Sequence, residues 1–174
     1  MDYHRARHSK YRSLPLYTAE QRQRRDASVW TLVQGVLAPL QFVVFLVSLW
    51  LVLHYLLTGE GLAAATISIV VKTLVLYTIM ITGSLWEKAV FGRYLFAPAF
   101  FWEDVISMLV IGLHTAYLFM LVFAIGTSQQ QMFVALAAYA TYLINAAQFL
   151  FKLRAARLEH SAGLDVALEM GASK

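Results

Sequence analysis

Four apolar stretches dominate this chain: Trp30 to Leu57, Leu62 to Trp86, Val105 to Ile125 and Met132 to Phe151. A helix needs about 20 apolar residues to cross a hydrocarbon core about 30 Å thick, and each stretch supplies them. Backbone groups in lipid must be satisfied within their own segment, and no alternating pattern points to a barrel, so all four read as helices. Of the 174 residues, 60% are apolar and 14% charged, against about 45–50% and about 25% in soluble domains. A globule of this size in water cannot hide so much apolar surface. The breaks Thr58-Gly59-Glu60-Gly61 and Gly126-Thr127-Ser128 are short, which makes neighbouring spans antiparallel. The expected architecture is all-α: a polytopic membrane protein with a four-transmembrane-helix bundle.

Lys and Arg set its direction. Residues 1–29 carry Arg5, Arg7, Lys10, Arg12, Arg22, Arg24 and Arg25; the link between spans two and three carries Lys88 and Arg93; the tail carries Lys152, Arg154, Arg157 and Lys174. The two short loops carry none, so both termini are expected on the cytoplasmic face of the inner or intracytoplasmic membrane. The net charge of +4 is thereby explained without nucleic acid. The polar start MDYHRARHSKYRS is unlike a signal peptide, and the first apolar run is too long for one. Three regions follow: a basic arm over 1–29 with a short interfacial helix opened by Thr18 and Gln21 as a capping box, a transmembrane domain over 30–151, and a cytoplasmic tail over 152–174. Residues 1–14 read as a solvated arm, where His4 and His8 have helical metal-ligand spacing by accident. The chain has no Cys, which removes thiolate chemistry, disulfides and iron–sulfur ligation.

Polar side chains in lipid are costly, so they mark where the bundle turns inward. Gln34, Gln41, Ser48 and Tyr55 recur every seven residues on one face of span one. Pro39 in the same span frees the Gly35 carbonyl, so a kink or polar contact is expected there. Thr73, Tyr77, Ser84 and Glu87 share a face of span two; Glu103, Ser107, His114 and Tyr117 of span three; Tyr142, Asn145 and Gln148 of span four. The stripes are richest toward the cytoplasmic end and imply a polar pocket opening inward. Their plain alternative is helix-joining hydrogen bonds, worth about 0.6 kcal/mol each. Lys72 stands near mid-membrane, where an ammonium costs about 3 kcal/mol, and calls for an ion-pair partner, a neutral form or a function. His114 is either a hydrogen-bonded neutral ring, a proton donor or a ligand to a bound metal.

Residues 86–104 are the most unusual stretch. Seven aromatics (Trp86, Phe91, Tyr94, Phe96, Phe100, Phe101 and Trp102) are bracketed by Glu87, Glu103 and Asp104, and Pro98 is placed to open the third span. An aromatic belt with solvated acids is one reading. Flat rings beside carboxylic acids also suit a large planar apolar substrate that must receive a proton. No P-loop, dinucleotide fingerprint, metalloprotease pair or nucleophile elbow is present.

The strings LYTAEQRQRRDASVWTLVQGVLAPLQF, VVKTLVLYTIMITGSLWEKAVFGRYLFAPAFFWEDV and LAAYATYLINAAQFLFKLRAARL resemble the 3-vinyl (bacterio)chlorophyllide hydratases of bacteriochlorophyll biosynthesis, from about Leu14 to Glu159. The resemblance implies a carbon–oxygen lyase that adds water to the 3-vinyl group of chlorophyllide a, or of its bacteriochlorin counterpart, to give a 1-hydroxyethyl group. It brings no residue roles with it. Water is then the co-substrate, with no cofactor; magnesium enters only within the tetrapyrrole. The partners expected are that pigment, the bilayer and other enzymes of the same biosynthesis.

Candidate catalytic residues are Glu103 and Asp104, then Glu87, with His114 as proton donor or magnesium ligand. Candidate substrate contacts are Gln41, Lys72, Tyr77, Trp86, Arg93, Tyr94, Phe101, Trp102 and Asn145. Arg93, Lys88 or Arg25 would meet the pigment's propionate. A carboxylate pair beside apolar rings keeps one acid protonated at neutral pH, ready to protonate the terminal vinyl carbon. The competing readings are a non-catalytic pigment-binding or photosystem assembly factor, and a small transporter with Lys72 and His114 on its path.

Overall fold

The computed structural model describes residues 16–172, with side chains described over 16–158. The order is α1 (Ala19–Ala27), α2 (Val29–Thr58), α3 (Leu62–Phe91), α4 (Phe101–Val122) and α5 (Ser128–Ala172). All described elements are helices, and four are long and apolar enough to cross a membrane. Only 22–28% of the residues in the most apolar part of each span are buried within the protein. The rest, including Leu32, Trp50, Leu74 and Phe119, point outward. Outward apolar surface on this scale needs a lipid solvent, so the chain is a multi-pass membrane protein.

Local chemistry sets the boundaries. Thr18 and Gln21 form the expected capping box: the Gln21 amide donates to Thr18 Oγ1 (3.2 Å), and the Thr18 amide donates to Gln21 Oε1 (2.9 Å). Ser28 ends α1 and caps α2 at once. Gly59 and Gly92 close α2 and α3 in the left-handed region, at φ 78° and 79°, where a side chain would strain the backbone. α2 runs through Pro39 without a break, and Pro39 is exposed.

α2 packs on α3 and α4 on α5; weaker α2–α5 and α3–α4 contacts close the ring, and α1 leans on α3. The main core joins Phe45 and Val52 of α2, Ile69 and Leu76 of α3, Val110 and Tyr117 of α4, and Met132 and Tyr139 of α5. A second, smaller cluster around Tyr17, Val90 and Phe100 lies where α1 meets the ends of α3 and α5.

Two expectations are corrected. Pro98 does not open α4: the helix begins at Phe101, and Pro98 sits second in a turn closed by the Phe100 amide on the Ala97 carbonyl (2.8 Å). Proline's fixed φ suits that turn position. The helix that carries the last span does not stop at Phe151, because α5 continues to Ala172. That stretch is rich in Ala, Leu, Glu, Lys and Arg and lacks Pro, so nothing in it ends a helix. The arm's His4 and His8, its first four basic residues and Lys174 lie outside the described residues.

Candidate active site

Three carboxyls gather where α3 ends and α4 begins. Glu87, Glu103 and Asp104 are all buried, because α3 and α4 both turn a face to the bundle there and the link 92–100 folds over the gap. Asp104 Oδ2 accepts from the Phe96 amide (2.7 Å) and Glu87 Oε2 from the Ala97 amide (3.2 Å). Phe96 has φ 59°, a left-handed conformation rare for a bulky residue, so Asp104 holds a strained turn in place. Glu87 and Asp104 thus accept from consecutive amides of one turn.

Glu103 is engaged differently. Lys152 Nζ of α5 lies 2.5 Å from Glu103 Oε2 and also donates to the Ala99 carbonyl. Asn145 Nδ2 donates to the Glu103 carbonyl (2.9 Å) and to Ser107 Oγ (2.8 Å). Phe100 stands beside this group, 2% exposed, against Trp86, Phe91 and Phe149 at centroid distances of 5.5–5.8 Å. Tyr17 tilts against its other side at 6.3 Å. The end of the bundle is thus a carboxyl cluster walled by aromatic rings.

Beyond that wall lies a cleft of about 370 Å³, lined by Tyr17, Arg22, Arg25, Thr31, Leu153 and Arg157. Trp86 Nε1 donates to Thr31 Oγ1 (3.0 Å), which itself donates to the Arg25 carbonyl (2.6 Å).

A second polar group sits at mid-bundle. Lys72 is fully buried, its Nζ 4.0 Å from the centroid of Tyr142 and 5.6 Å from that of Tyr139. Its Nζ, both amide atoms of Gln41 and His114 Nε2 have no hydrogen-bond partner among the described residues. His114 Nδ1 lies 2.8 Å from the Val110 carbonyl. A carbonyl only accepts, so Nδ1 carries a hydrogen.

A family model for 2-vinyl bacteriochlorophyllide hydratase matches residues 17–155. The chain belongs to that family. It is 69% identical over 150 residues to the 2-vinyl bacteriochlorophyllide hydratase of Cereibacter sphaeroides, covering 84% of this chain and 91% of the relative. It is also 69% identical over 144 residues to the Rhodobacter capsulatus protein of the same name, covering 83% and 84%. No solved structure matches.

In this member of the hydratase family, Asn145, Trp86 and the three acids come together as the sequence implies, and Glu103, Ser107, His114 and Tyr117 all face inward. Gln41 and Ser48 also face the core, with Ser48 bonded to Tyr139 (2.5 Å). Other residues go elsewhere. Tyr94, Phe101 and Trp102 are 57%, 45% and 68% exposed. Once Glu103 and Asp104 take the inner face of α4, the residues just before them turn outward at 100° per residue. Arg93 is exposed, and Lys88 Nζ donates to the Gly92 carbonyl (3.1 Å). Tyr77 is bonded to Thr115 (2.7 Å), and Ser84 donates to the Ile81 carbonyl within its own helix. Among the described residues the polar stripes meet in packed contacts, and the cleft is lined instead by residues of α1, α2 and α5 with Leu16 and Tyr17. Lys152, Tyr17 and Arg157 were not singled out by sequence. For Lys152 a signal exists, since it follows Asn145 by seven residues and so shares its face.

Proposed function

We propose that this chain adds water to the vinyl group of a bacteriochlorophyllide or chlorophyllide, giving a 1-hydroxyethyl substituent; the 2-vinyl of the relatives' names is the 3-vinyl of the other ring numbering. It is a hydratase, a carbon–oxygen lyase of bacteriochlorophyll biosynthesis. The observation that carries the reading is the match over residues 17–155, supported by the buried Glu87–Asp104 pair near an aromatic cluster.

The pair is the proton source. It gives its proton to the terminal vinyl carbon, and the cation left on the inner carbon is delocalised into the macrocycle. Water adds to that carbon, and the proton released from the water returns to the pair. Positioned acid–base catalysis of this kind contributes about 10²–10⁴-fold. Glu103, paired with Lys152, holds the pair's surroundings in place. The reaction needs no cofactor, and magnesium belongs to the substrate alone. A macrocycle reaching the pair displaces the 92–100 link, which Phe96 and Ala97 pin to the two acids. Both termini lie on the cytoplasmic side of the inner membrane, as the one-sided Lys and Arg require, and other enzymes of the same biosynthesis supply and remove the pigment there.

Membranes bearing only this protein, given chlorophyllide a in ¹⁸O-labelled water, are the test. A labelled hydroxyethyl pigment is expected. Tight binding of unchanged pigment would replace the hydratase with a pigment carrier. Labelling of tags at either end from the cytoplasmic side tests the orientation.

A further inference from the structure

The cleft behind Phe100 does not enter the chemistry above, yet it is built for a particular ligand group. Among the described residues, the guanidinium groups of Arg25 and Arg157 line it, with Arg22 and the carboxylate of Asp26 beside them. Asp26 bonds Arg25 at 2.7 Å, and the Arg25 guanidinium also covers the Tyr17 ring at 4.9 Å. Tyr17 is 3% exposed, and its hydroxyl has no acceptor among the described residues. Arg25 beside it can only donate. Burial pushes the Tyr17 phenol up from its ordinary pKa, with Arg25 partly offsetting this, so the O–H keeps its hydrogen at neutral pH. A buried O–H with no acceptor among the described residues, on a ring that lines a cleft of positive charge, calls for an oxyanion. Leu16, Leu153 and Ala156 make the rest of the wall apolar, so that oxyanion is carried on an apolar body.

We propose that this cleft binds the propionate carboxylate of the tetrapyrrole, with Arg25 and Arg157 as the charged contacts and the Tyr17 hydroxyl as the neutral donor. The proposal rests on the hydratase reading for its substrate. Its volume of about 370 Å³ holds the carboxylate arm and a ring edge rather than the whole macrocycle. Phe100 links the two: it packs on Tyr17, which lines the cleft, and its centroid is 5.0 Å from Lys152 Nζ beside the acids. A pigment anchored in the cleft therefore reaches toward the acids past Phe100. An arginine fork bonded to a carboxylate gives orientation as well as affinity, which a vinyl hydratase needs in order to present one edge of a flat ring. Of the three cations proposed from sequence for the propionate, Arg25 lines the cleft, whereas Lys88 and Arg93 do not.

An anionic lipid headgroup offers the same oxyanion chemistry, so the test separates the two. Full-length protein in nanodiscs is titrated with chlorophyllide a and with its propionate methyl ester, following the pigment's absorbance shift. The wild type is expected to bind the acid at least tenfold more tightly than the ester. In R25Q/R157Q the ratio falls toward one, Y17F lowers it less, and R25K restores part of it. Equal wild-type binding of acid and ester overturns the proposal. So does a ratio that the double variant leaves intact. Repeating the titration in purely zwitterionic and in anionic nanodiscs gives the last arm: a ratio seen with zwitterionic lipid that anionic lipid abolishes makes this a headgroup site and overturns the proposal. Because binding is read without turnover, absence of the hydroxyethyl product bears on the hydratase reading and not on this one.

Discussion

Asp104 and Glu87, from the start of α4 and the end of α3, accept from the consecutive backbone amides of Phe96 and Ala97. This pair of acids holds a strained turn, and in the proposed mechanism it also carries the proton. The two tasks separate by substitution. Glu87→Gln keeps an oxygen for the Ala97 amide and supplies its own N–H to Asp104, so the fold is retained while the shared proton is lost. Turnover is expected to fall at least 100-fold in Glu87→Gln and in Asp104→Asn, with protein level and thermal midpoint close to wild type for Glu87→Gln. Product chromatography beside an immunoblot checks this, and full turnover in both variants ends the assignment.

The Lys152–Glu103 contact closes α5 onto α4 with side chains 25% and 7% exposed. Removing one partner strands the other near lipid. Lys152→Met is expected to cost about 2–3 kcal/mol, below the full figure for a buried pair because Lys152 is partly hydrated. Adding Glu103→Gln to Lys152→Met should recover most of that loss, which a double-mutant cycle on thermal midpoints reads directly. Additive losses would show that the two side chains act independently.

Phe100 touches Tyr17, Trp86, Phe91 and Phe149 and is 2% exposed. Phe100→Ala opens a cavity where three elements meet and is expected to cost about 3–5 kcal/mol. Phe100→Leu keeps most of the volume and should cost less than half as much. Detergent thermal melts distinguish the pair, and equal, small losses would mean that the aromatic wall collapses freely.

The bundle was legible because lipid allows so few solutions: long apolar runs must be helices, and polar residues repeating every seven must share a face. Gln41 and Ser48 of α2, and Glu103, Ser107, His114 and Tyr117 of α4, sit inward for that reason. What periodicity could not show was which stripes meet. Lys152 finds Glu103 across 49 residues of chain, and Tyr17 reaches Phe91 and Phe100 only because α1 folds back onto the end of the bundle. The exposed Tyr94, Phe101 and Trp102 show the converse limit. An aromatic cluster in sequence need not be one in space when a helix begins inside it.

Lys72 poses the last question, because its side-chain nitrogen is fully buried among Phe45, Tyr139 and Tyr142 with no hydrogen-bond partner among the described residues. Ring faces compensate a buried cation by about 2 kcal/mol, short of the several kcal/mol that burying an ion costs. If the rings are all that hold it, Lys72→Met, which keeps the chain length and discards the charge, should stabilise the bundle by about 1–3 kcal/mol. A thermal midpoint above wild type in detergent is the expected result. A midpoint several degrees below it would show that the ammonium has a partner in the folded protein, and the unpartnered atoms of Gln41 and His114 would then be the first places to look for what they jointly hold.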